Sequence, residues 1–228
     1  MENSNNEIEN ILIICAADEG KLKILLKKRE KEPYFGYWIL PGEFINDKET
    51  MEQSTKQIFE EISPIEYSFT YEEKTFSDLN RYENRRVVAL TNVIVTDKQL
   101  VDMKKEKDNT EWFNIDELPK LGFDHKEIIE KTSKEIKYKI TCNYHDILLH
   151  LFPSDFTLSE LQTFYESITN EENDRKNFKK KIMSQDLIVD TGIKDNLGNG
   201  RPSTLYRFNV DKMRGIRLWM MNGAYKNY

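Results

Sequence analysis

Residues 41–65, PGEFINDKETMEQSTKQIFEEISPI, constrain the fold of this chain more than any other segment. A loop with one glycine leads into a helical pattern in which Ile58 and Ile62 are four residues apart and share a face with Thr55. Such a stripe packs against a sheet or another helix. The segment therefore predicts a loop followed by a helix that places Ile58 and Ile62 in the core.

Segments of high β propensity surround this loop and helix. Two of them, at 11–16 and 22–26, flank the turn residues 18–20, which predicts a hairpin. Further strands are predicted at 34–40, 67–76, 87–95 and 111–113, and a helix is predicted at 126–139. This order predicts a mixed sheet with helices on both faces, an α/β/α sandwich that occupies residues 1–142.

From residue 143 onward the pattern changes to short helices followed by a glycine-rich hairpin. Pro153 ends the first of these helices. Thr157 begins the second, with Glu160 at the spacing of a capping box. A third helix and the hairpin complete the pattern of a winged helix-turn-helix. We therefore expect an α+β chain of two domains, the second at residues 143–228.

The third helix of the second domain carries a cluster of positive charge. Five of the seven residues from 175 to 181 are basic, and Phe178 and Ile182 mark the buried face. The helix, capped by Asn173 or Asp174, fits the major groove of DNA, where arginine and asparagine bind base edges and lysine neutralises phosphates. The alternative is a solvated basic helix without a ligand. The residues of this helix predicted to bind DNA are Arg175, Lys176, Asn177, Lys179 and Lys180.

A wing is predicted from strands at 187–189 and 205–208, around the turn GIKDNLGNGRPS. Arg201 is the DNA contact expected near its tip. The net charge of −6 is unevenly divided: the first 142 residues carry 22 Lys and Arg against 29 Asp and Glu, and the rest carry 12 against 11. An acidic first half joined to a locally basic second half is the layout expected of a sensor joined to a DNA-binding domain.

Composition excludes several classes of protein. No apolar run approaches the length of a membrane span, and the acidic N-terminus lacks the basic start and cleavage site of a secretory signal. We therefore expect a cytoplasmic protein that does not contact a membrane. The two cysteines, Cys15 and Cys142, and the three histidines lack metal-ligand spacing, so no metal site and no cofactor are expected.

The segment at 41–65 resembles the Nudix box, a loop and helix that gather divalent metal around a substrate pyrophosphate. Ile58 and Ile62 replace two of the three helix glutamates that act as metal ligands in that family, and only Glu61 keeps its carboxylate. Since catalytic magnesium requires several fixed oxygen ligands, the domain is expected not to be an enzyme. A one-residue shift would instead pair Glu60 with Glu61. Matching positions are Pro41, Gly42, Glu49, Thr50, Phe59 and Ile65, and departures include Glu43, Gln57 and Pro64.

The two halves together resemble the NrtR-like Nudix-related transcriptional regulators, which join a degenerate Nudix domain to a winged helix. The most specific segments are FTLSELQTFYESI from Phe156 and GRPSTLYRF from Gly200. The resemblance implies a bacterial homodimer that binds double-stranded DNA at a palindromic operator, usually as a repressor. It also implies a small-molecule effector in the Nudix cleft, which is ADP-ribose, a related NAD metabolite or a sugar such as arabinose.

The cleft of the first domain is the expected receptor for this effector. Its arginines are expected to bind anionic groups, its tryptophan to stack on the ligand, and its glutamates to hold a hydroxyl or one metal ion. Solvated arginines are the alternative, and Glu49 is also a candidate helix cap. An active hydrolase of a nucleoside diphosphate derivative and a protein-binding scaffold remain open as other classes. The candidate ligand-binding residues are Arg29, Trp38, Glu49, Glu61, Arg81 and Arg86.

Overall fold

The computed structural model describes residues 7–63, 65, 69–83, 85–104, 109–141, 145–195 and 202–213. The strands of the first sheet are β1 (Glu7–Asp18), β2 (Lys21–Lys28), β3 (Trp38–Ile39), β4 (Gly42–Phe44), β5 (Phe69–Phe76), β6 (Val87–Val95) and β7 (Thr110–Asn114). The helices that accompany this sheet are α1 (Met51–Glu60), α2 (Lys98–Lys104) and α3 (His125–Thr141). The C-terminal half contains α4 (His145–Leu151), β8 (Phe156–Thr157), α5 (Leu158–Thr169), α6 (Arg175–Ser184), β9 (Ile188–Asp195) and β10 (Ser203–Phe208).

The first sheet is mixed and has seven strands. Its main order is β3-β2-β1-β6-β5, with β4 paired to β1 and β7 paired to β2. The predicted hairpin is confirmed, because β1 and β2 pair antiparallel up to Asp18 and Lys21, while β1 and β6 pair in parallel. The long strand β1 is therefore the centre of the sheet, bonded on both sides.

Two apolar cores lie on the two faces of this sheet. Alternate residues of β1 supply them, as the two-residue period of a strand requires. Ile11 and Ile13 belong to the core that contains α3, whereas Leu12 and Ile14 belong to the core that contains α1. The predicted α/β/α sandwich with a mixed sheet is thus confirmed.

The first helix, α1, docks as its sequence pattern predicts. Ile58 and Ile62 are each only 4% exposed, and Glu60 lies on the solvent side, paired with Lys56. The helix is capped by a box in which Thr50 accepts from the backbone N–H of Gln53 and the Gln53 side chain accepts in return. Glu49 is therefore not the cap. The helix thus buries Ile58 and Ile62 and leaves Glu60 in solvent, as the ungapped alignment with the Nudix box predicts.

The C-terminal half has the predicted winged helix topology. Its second helix begins in the expected capping box, with Thr157 and Glu160 bonded reciprocally, and Asp174 caps α6 through the N–H groups of Lys176 and Asn177. The wing strands are longer than predicted, and β8 adds a third strand beside β10. No helix in the described part of the chain is both long and apolar enough to cross a membrane.

The core on the α3 face continues without interruption into the C-terminal half. Leu148 and Leu151 of α4 and Phe164 of α5 belong to the same apolar cluster as Ile13 of β1. At the β1–β2 turn, a Cβ built on Gly20 would lie 2.4 Å from the methyl carbon of Thr163 on α5. The winged helix therefore packs directly on the sheet.

In the first half one prediction was wrong and one helix was missed. The strand expected at 34–40 is reduced to Trp38 and Ile39, because Tyr34 and Gly36 have positive φ and the chain turns there. The helix α2 was not foreseen, since its seven residues, KQLVDMK, contain only one deeply buried apolar side chain among those described, Val101. The irregular segment 29–37 instead forms one wall of a cleft.

Candidate ligand cleft and nucleic-acid interface

The first half of the chain contains a cleft of about 790 Å³. Its walls come from the start of β1, the segment 29–34, strand β4, the loop between β5 and β6, and the start of α3. Of the six candidate ligand-binding residues, Arg29, Glu61 and Arg81 lie on these walls. Loops supply most of the lining, as is usual where a rigid sheet carries a binding site.

Arg81 is the structural anchor of this cleft. Its guanidinium donates to both carboxylate oxygens of Asp124, at 2.6 and 3.1 Å, and to Glu9 at 3.3 Å. Tyr82 donates to the other oxygen of Glu9 at 3.0 Å, and burial raises the pKa of Glu9 although Arg81 opposes this. The side chain of Arg81 is 1% exposed. Its charge is therefore already balanced inside the protein, and it holds the β5–β6 loop against β1 and α3.

His125 is a second buried polar group of the cleft. Its Nδ1 accepts a hydrogen bond from the backbone N–H of Leu40 at 2.8 Å, and burial lowers its pKa to about 4. The neutral ring must then carry its proton on Nε2. That buried nitrogen has no hydrogen-bond partner among the described residues. Sequence reasoning considered His125 only as a metal ligand, and thus missed a buried polar residue of the cleft wall.

Aromatic rings and arginines form part of the remaining wall, which also carries the carboxylates of five glutamates besides Glu9. The Phe123 ring lies 4.8 Å from Tyr34 and 5.2 Å from Tyr82, and the Arg29 guanidinium is 4.8 Å from its centroid. Arg85 lies over both Phe44 and Tyr82, at 4.6 Å from each ring. These rings come from four separate loops and strands. No local sequence pattern predicts that these rings lie close together. The run NRYENRR at 80–86 does, however, place Tyr82 among arginines.

The three remaining candidate residues lie outside this cleft. Trp38 packs edge to face against Phe113 at 4.9 Å, so the stacking role falls to other rings. Arg86 donates to the carbonyl oxygens of Ser77 and Asp78 and thereby braces its own loop. Glu49 accepts from the backbone N–H of Asn46 and lines an adjacent pocket of about 280 Å³.

Acidic side chains from the loop and from the end of α1 line this adjacent pocket. Glu43, Glu49 and Glu61 line it together with Gln57 and Ile58. In the part of the chain that the structure describes, no group of three or more His, Cys, Asp or Glu residues is placed to hold a metal ion. Glu61 instead pairs with Lys27, at 3.7 Å.

The recognition helix α6 presents the predicted polar face. Phe178 and Ile182 are each 5% exposed, as expected for its inner side. None of its four candidate cations forms an ion pair with a described residue. Arg201 lies outside the described residues. The exposed candidates are Arg175, Lys176, Asn177, Lys179 and Lys180.

A concave surface of about 570 Å³ lies between α6 and the wing. Arg175 and Lys179 line it from the helix, and Lys194 lines it from β9. Ser203 and Thr204 of β10 add hydroxyl groups. Unpaired cations and hydroxyls on one concave face are the groups that bind phosphate oxygens of a nucleic acid backbone.

Comparison with known proteins matches both halves. Residues 8–132 match the NUDIX domain, and residues 148–208 match the NrtR DNA-binding winged helix domain. The ADPR responsive transcriptional repressor NtrR of Acinetobacter baylyi is 27% identical over 86% of this chain and 80% of its own length. The ADP-ribose pyrophosphatase of Methanocaldococcus jannaschii is 32% identical over 47% of this chain and 64% of its own.

Solved structures share the whole architecture. Shewanella oneidensis NrtR complexed with a 27mer DNA superposes with a TM-score of 0.73 at 24% identity, over 91% of this chain and 95% of that chain. A MutT/nudix family protein from Enterococcus faecalis superposes with a TM-score of 0.66 at 22% identity, over 91% and 89%. The chain therefore belongs to the Nudix family and, with its NrtR winged helix domain, is an NrtR-like regulator.

Proposed function

We propose that this chain is a transcriptional repressor that binds operator DNA through α6 and the wing and responds to ADP-ribose in the cleft. One observation carries the proposal: a cleft lined by aromatic rings and by charged side chains of both signs shares a continuous core with a helix of exposed cations that form no ion pair with a described residue. The Acinetobacter repressor, which aligns with most of the chain, supports the choice of effector.

The cleft offers a complementary group for each part of such a ligand. The rings of Phe123 and Tyr82 offer faces for an adenine base. Arg29 and Arg85 offer positive charge for the diphosphate. A few placed polar groups in a mostly preformed cleft are typical of small-molecule sites.

DNA binding rests on the exposed face of α6. Two copies of the chain, as a homodimer, would place two such helices at successive half-sites of a palindromic operator. Arg201 stays a proposed wing contact. An effector acts on this arrangement only as far as it binds one spacing of the two helices more tightly than the other.

The first test measures operator affinity by fluorescence anisotropy, with DNA from the promoter of the regulated gene. Arg175→Ala should weaken binding about tenfold or more, since a base or phosphate contact contributes about 1 to 3 kcal/mol. The control Lys134→Ala removes the same charge from an exposed site on α3 and should leave affinity unchanged. ADP-ribose should release the DNA. Equal effects of the two variants would contradict the DNA-binding face, and unchanged affinity with ADP-ribose would contradict the effector.

The competing function is hydrolysis of ADP-ribose, which the Methanocaldococcus relative favours by its 32% identity over 111 residues. We infer that the chain lacks this activity, because buried Ile58 and Ile62 offer no oxygen to a metal ion. Incubation with ADP-ribose and Mg²⁺ should release no AMP. Turnover that Glu61→Gln abolishes would establish the hydrolase instead.

A further inference from the structure

Lys27 lies where the cleft meets the last carboxylate of the helix α1. It reaches from β2, and its ammonium is 3.7 Å from a carboxylate oxygen of Glu61. Both side chains line the cleft, with 28% and 41% of their surfaces exposed. A fixed positive charge therefore stands beside the residue at which the Nudix family gathers metal.

A divalent metal does not fit this position. Ile58 and Ile62 supply no oxygen ligands and are buried in the opposite direction, within the core beneath α1. Glu43 and Glu49 share the adjacent pocket with Glu61, but no three such carboxylates among the described residues are placed to give an ion near-octahedral oxygen coordination. The ammonium of Lys27 would also repel a second cation at close range.

The helix α1 is held in place without metal as well. The buried Asn10 donates to the hydroxyls of Ser54 and Thr55, at 3.1 and 3.0 Å, and accepts from Asn92 at 2.9 Å. These four side chains are at most 5% exposed. Neutral hydrogen bonds thus tie the N-terminal half of α1 to β1 and β6.

The three arginines of the cleft each contact a protein partner, so Arg29 and Arg85 offer a ligand only charge that they already share with the protein, whereas Lys31 is exposed on the segment 29–34. Arg81 is balanced by Asp124 and Glu9, and Arg85 pairs with Glu7 at 2.8 Å. Arg29 donates to backbone carbonyl oxygens of Glu32 and Pro33. Lys27 has a long, partly exposed side chain and a single long ion pair, which a ligand can replace at little cost.

We propose that Lys27 neutralises the diphosphate of the bound ligand in place of a metal ion, so that ligand binding is independent of divalent metal. The inference rests on the proposed function, since it assumes that the cleft binds a diphosphate. It adds a residue and an electrostatic mechanism. Glu61 is the one Nudix helix glutamate that this chain keeps, and Lys27 lies beside it. The ammonium group of Lys27 would supply the positive charge that a metal ion supplies in a metal-dependent Nudix site.

The test is calorimetric titration of the full-length protein with ADP-ribose, in excess EDTA and in excess MgCl₂. The dissociation constant should agree within about twofold between the two buffers, because no metal takes part. Lys27→Met should weaken binding about tenfold or more, the loss expected for one charge-assisted hydrogen bond. Lys27→Arg should restore most of the affinity, and the titration of adenosine, which lacks the diphosphate, should be unaffected by Lys27→Met.

Lys28→Met is the matched control, because Lys28 is the next residue of β2 and lies over the Trp38 ring, outside the cleft lining. Equal affinity of the Lys27→Met and Lys28→Met proteins would overturn the inference. Binding that requires Mg²⁺ would overturn it too, while leaving the effector assignment intact. A wild-type protein that binds ADP-ribose in neither buffer would instead refute the proposed function itself, and the inference with it.

Discussion

His125 shows how a single residue couples the cleft to the stability of the fold. Its ring is buried beside Leu40, and its only described hydrogen bond requires Nδ1 to be unprotonated. Burial is the largest cause of its lowered pKa, with Arg81 and Arg29 adding to the effect and Asp124 opposing it. The buried neutral ring is therefore a source of acid sensitivity.

The pKa of His125 falls from 6.5 to about 4 on folding. The unfolded chain thus takes up a proton below about pH 6.5, whereas the folded protein does so only near pH 4. This contribution to stability is complete above pH 6.5 and is lost as the pH falls through that window, by about 3 kcal/mol at most. Urea unfolding at several pH values should show a steeper loss of the free energy of unfolding for the wild type than for His125→Asn.

The raised pKa of Glu9 affects the wild type and His125→Asn alike, so its contribution to the pH dependence of stability cancels when the two are compared. The difference between the two pH profiles therefore reports on His125. Parallel profiles between pH 6.5 and pH 4 would mean that the ring already titrates normally in the folded protein.

At the scale of elements, the sequence predicted the buried faces and the caps of helices. It did not predict which side chains of different elements lie opposite one another in the cleft. The burial of Ile58 and Ile62, the capping box at Thr157 and the inner face of α6 all follow from local spacing, and the structure confirms them. Local spacing could not tell which neighbouring arginine of a loop faces a cleft. Arg85 lines it while Arg86 braces the loop backbone.

The surroundings of Trp38 could not be read from the sequence for a related reason. It was expected to stack on a ligand, and the structure places its ring against Phe113, on β3 paired with β2. The rings that do line the cleft, among them Tyr34 and Phe123, are far apart in sequence. Only the folded sheet brings them together, so no single-segment pattern could have identified them.

For the whole molecule, the decisive feature is the contact between the β1–β2 turn and α5. Gly20 has a φ of +70° and approaches Thr163 so closely that a side chain has no room. This turn belongs to the sheet that carries the cleft, and α5 belongs to the domain that carries the recognition helix. The proposed division at residues 142 and 143 therefore separates two sequence patterns that share one packed interface.

Gly20→Ala should lower the free energy of unfolding by more than Gly192→Ala does. Both positions have positive φ, which costs about 1 to 2 kcal/mol for a residue with a Cβ, but a Cβ at Gly192 meets nothing within 4 Å. The excess loss measures the clash with α5. Equal losses in urea unfolding would contradict close packing there.

A double-mutant cycle sharpens this test. Thr163→Ser removes the methyl carbon that lies 2.4 Å from the built Cβ, so it should recover part of the loss caused by Gly20→Ala. Strictly additive effects would show that the turn and the helix do not touch.

Leu148, Leu151 and Phe164 belong to the apolar core on the α3 face of the sheet. Expressing the two halves as separate fragments would therefore expose apolar surface on both of them. The two halves share one continuous apolar interface. A displacement of the central strand would change the packing of α4 and α5 against the sheet, and α5 packs in turn on the helix α6.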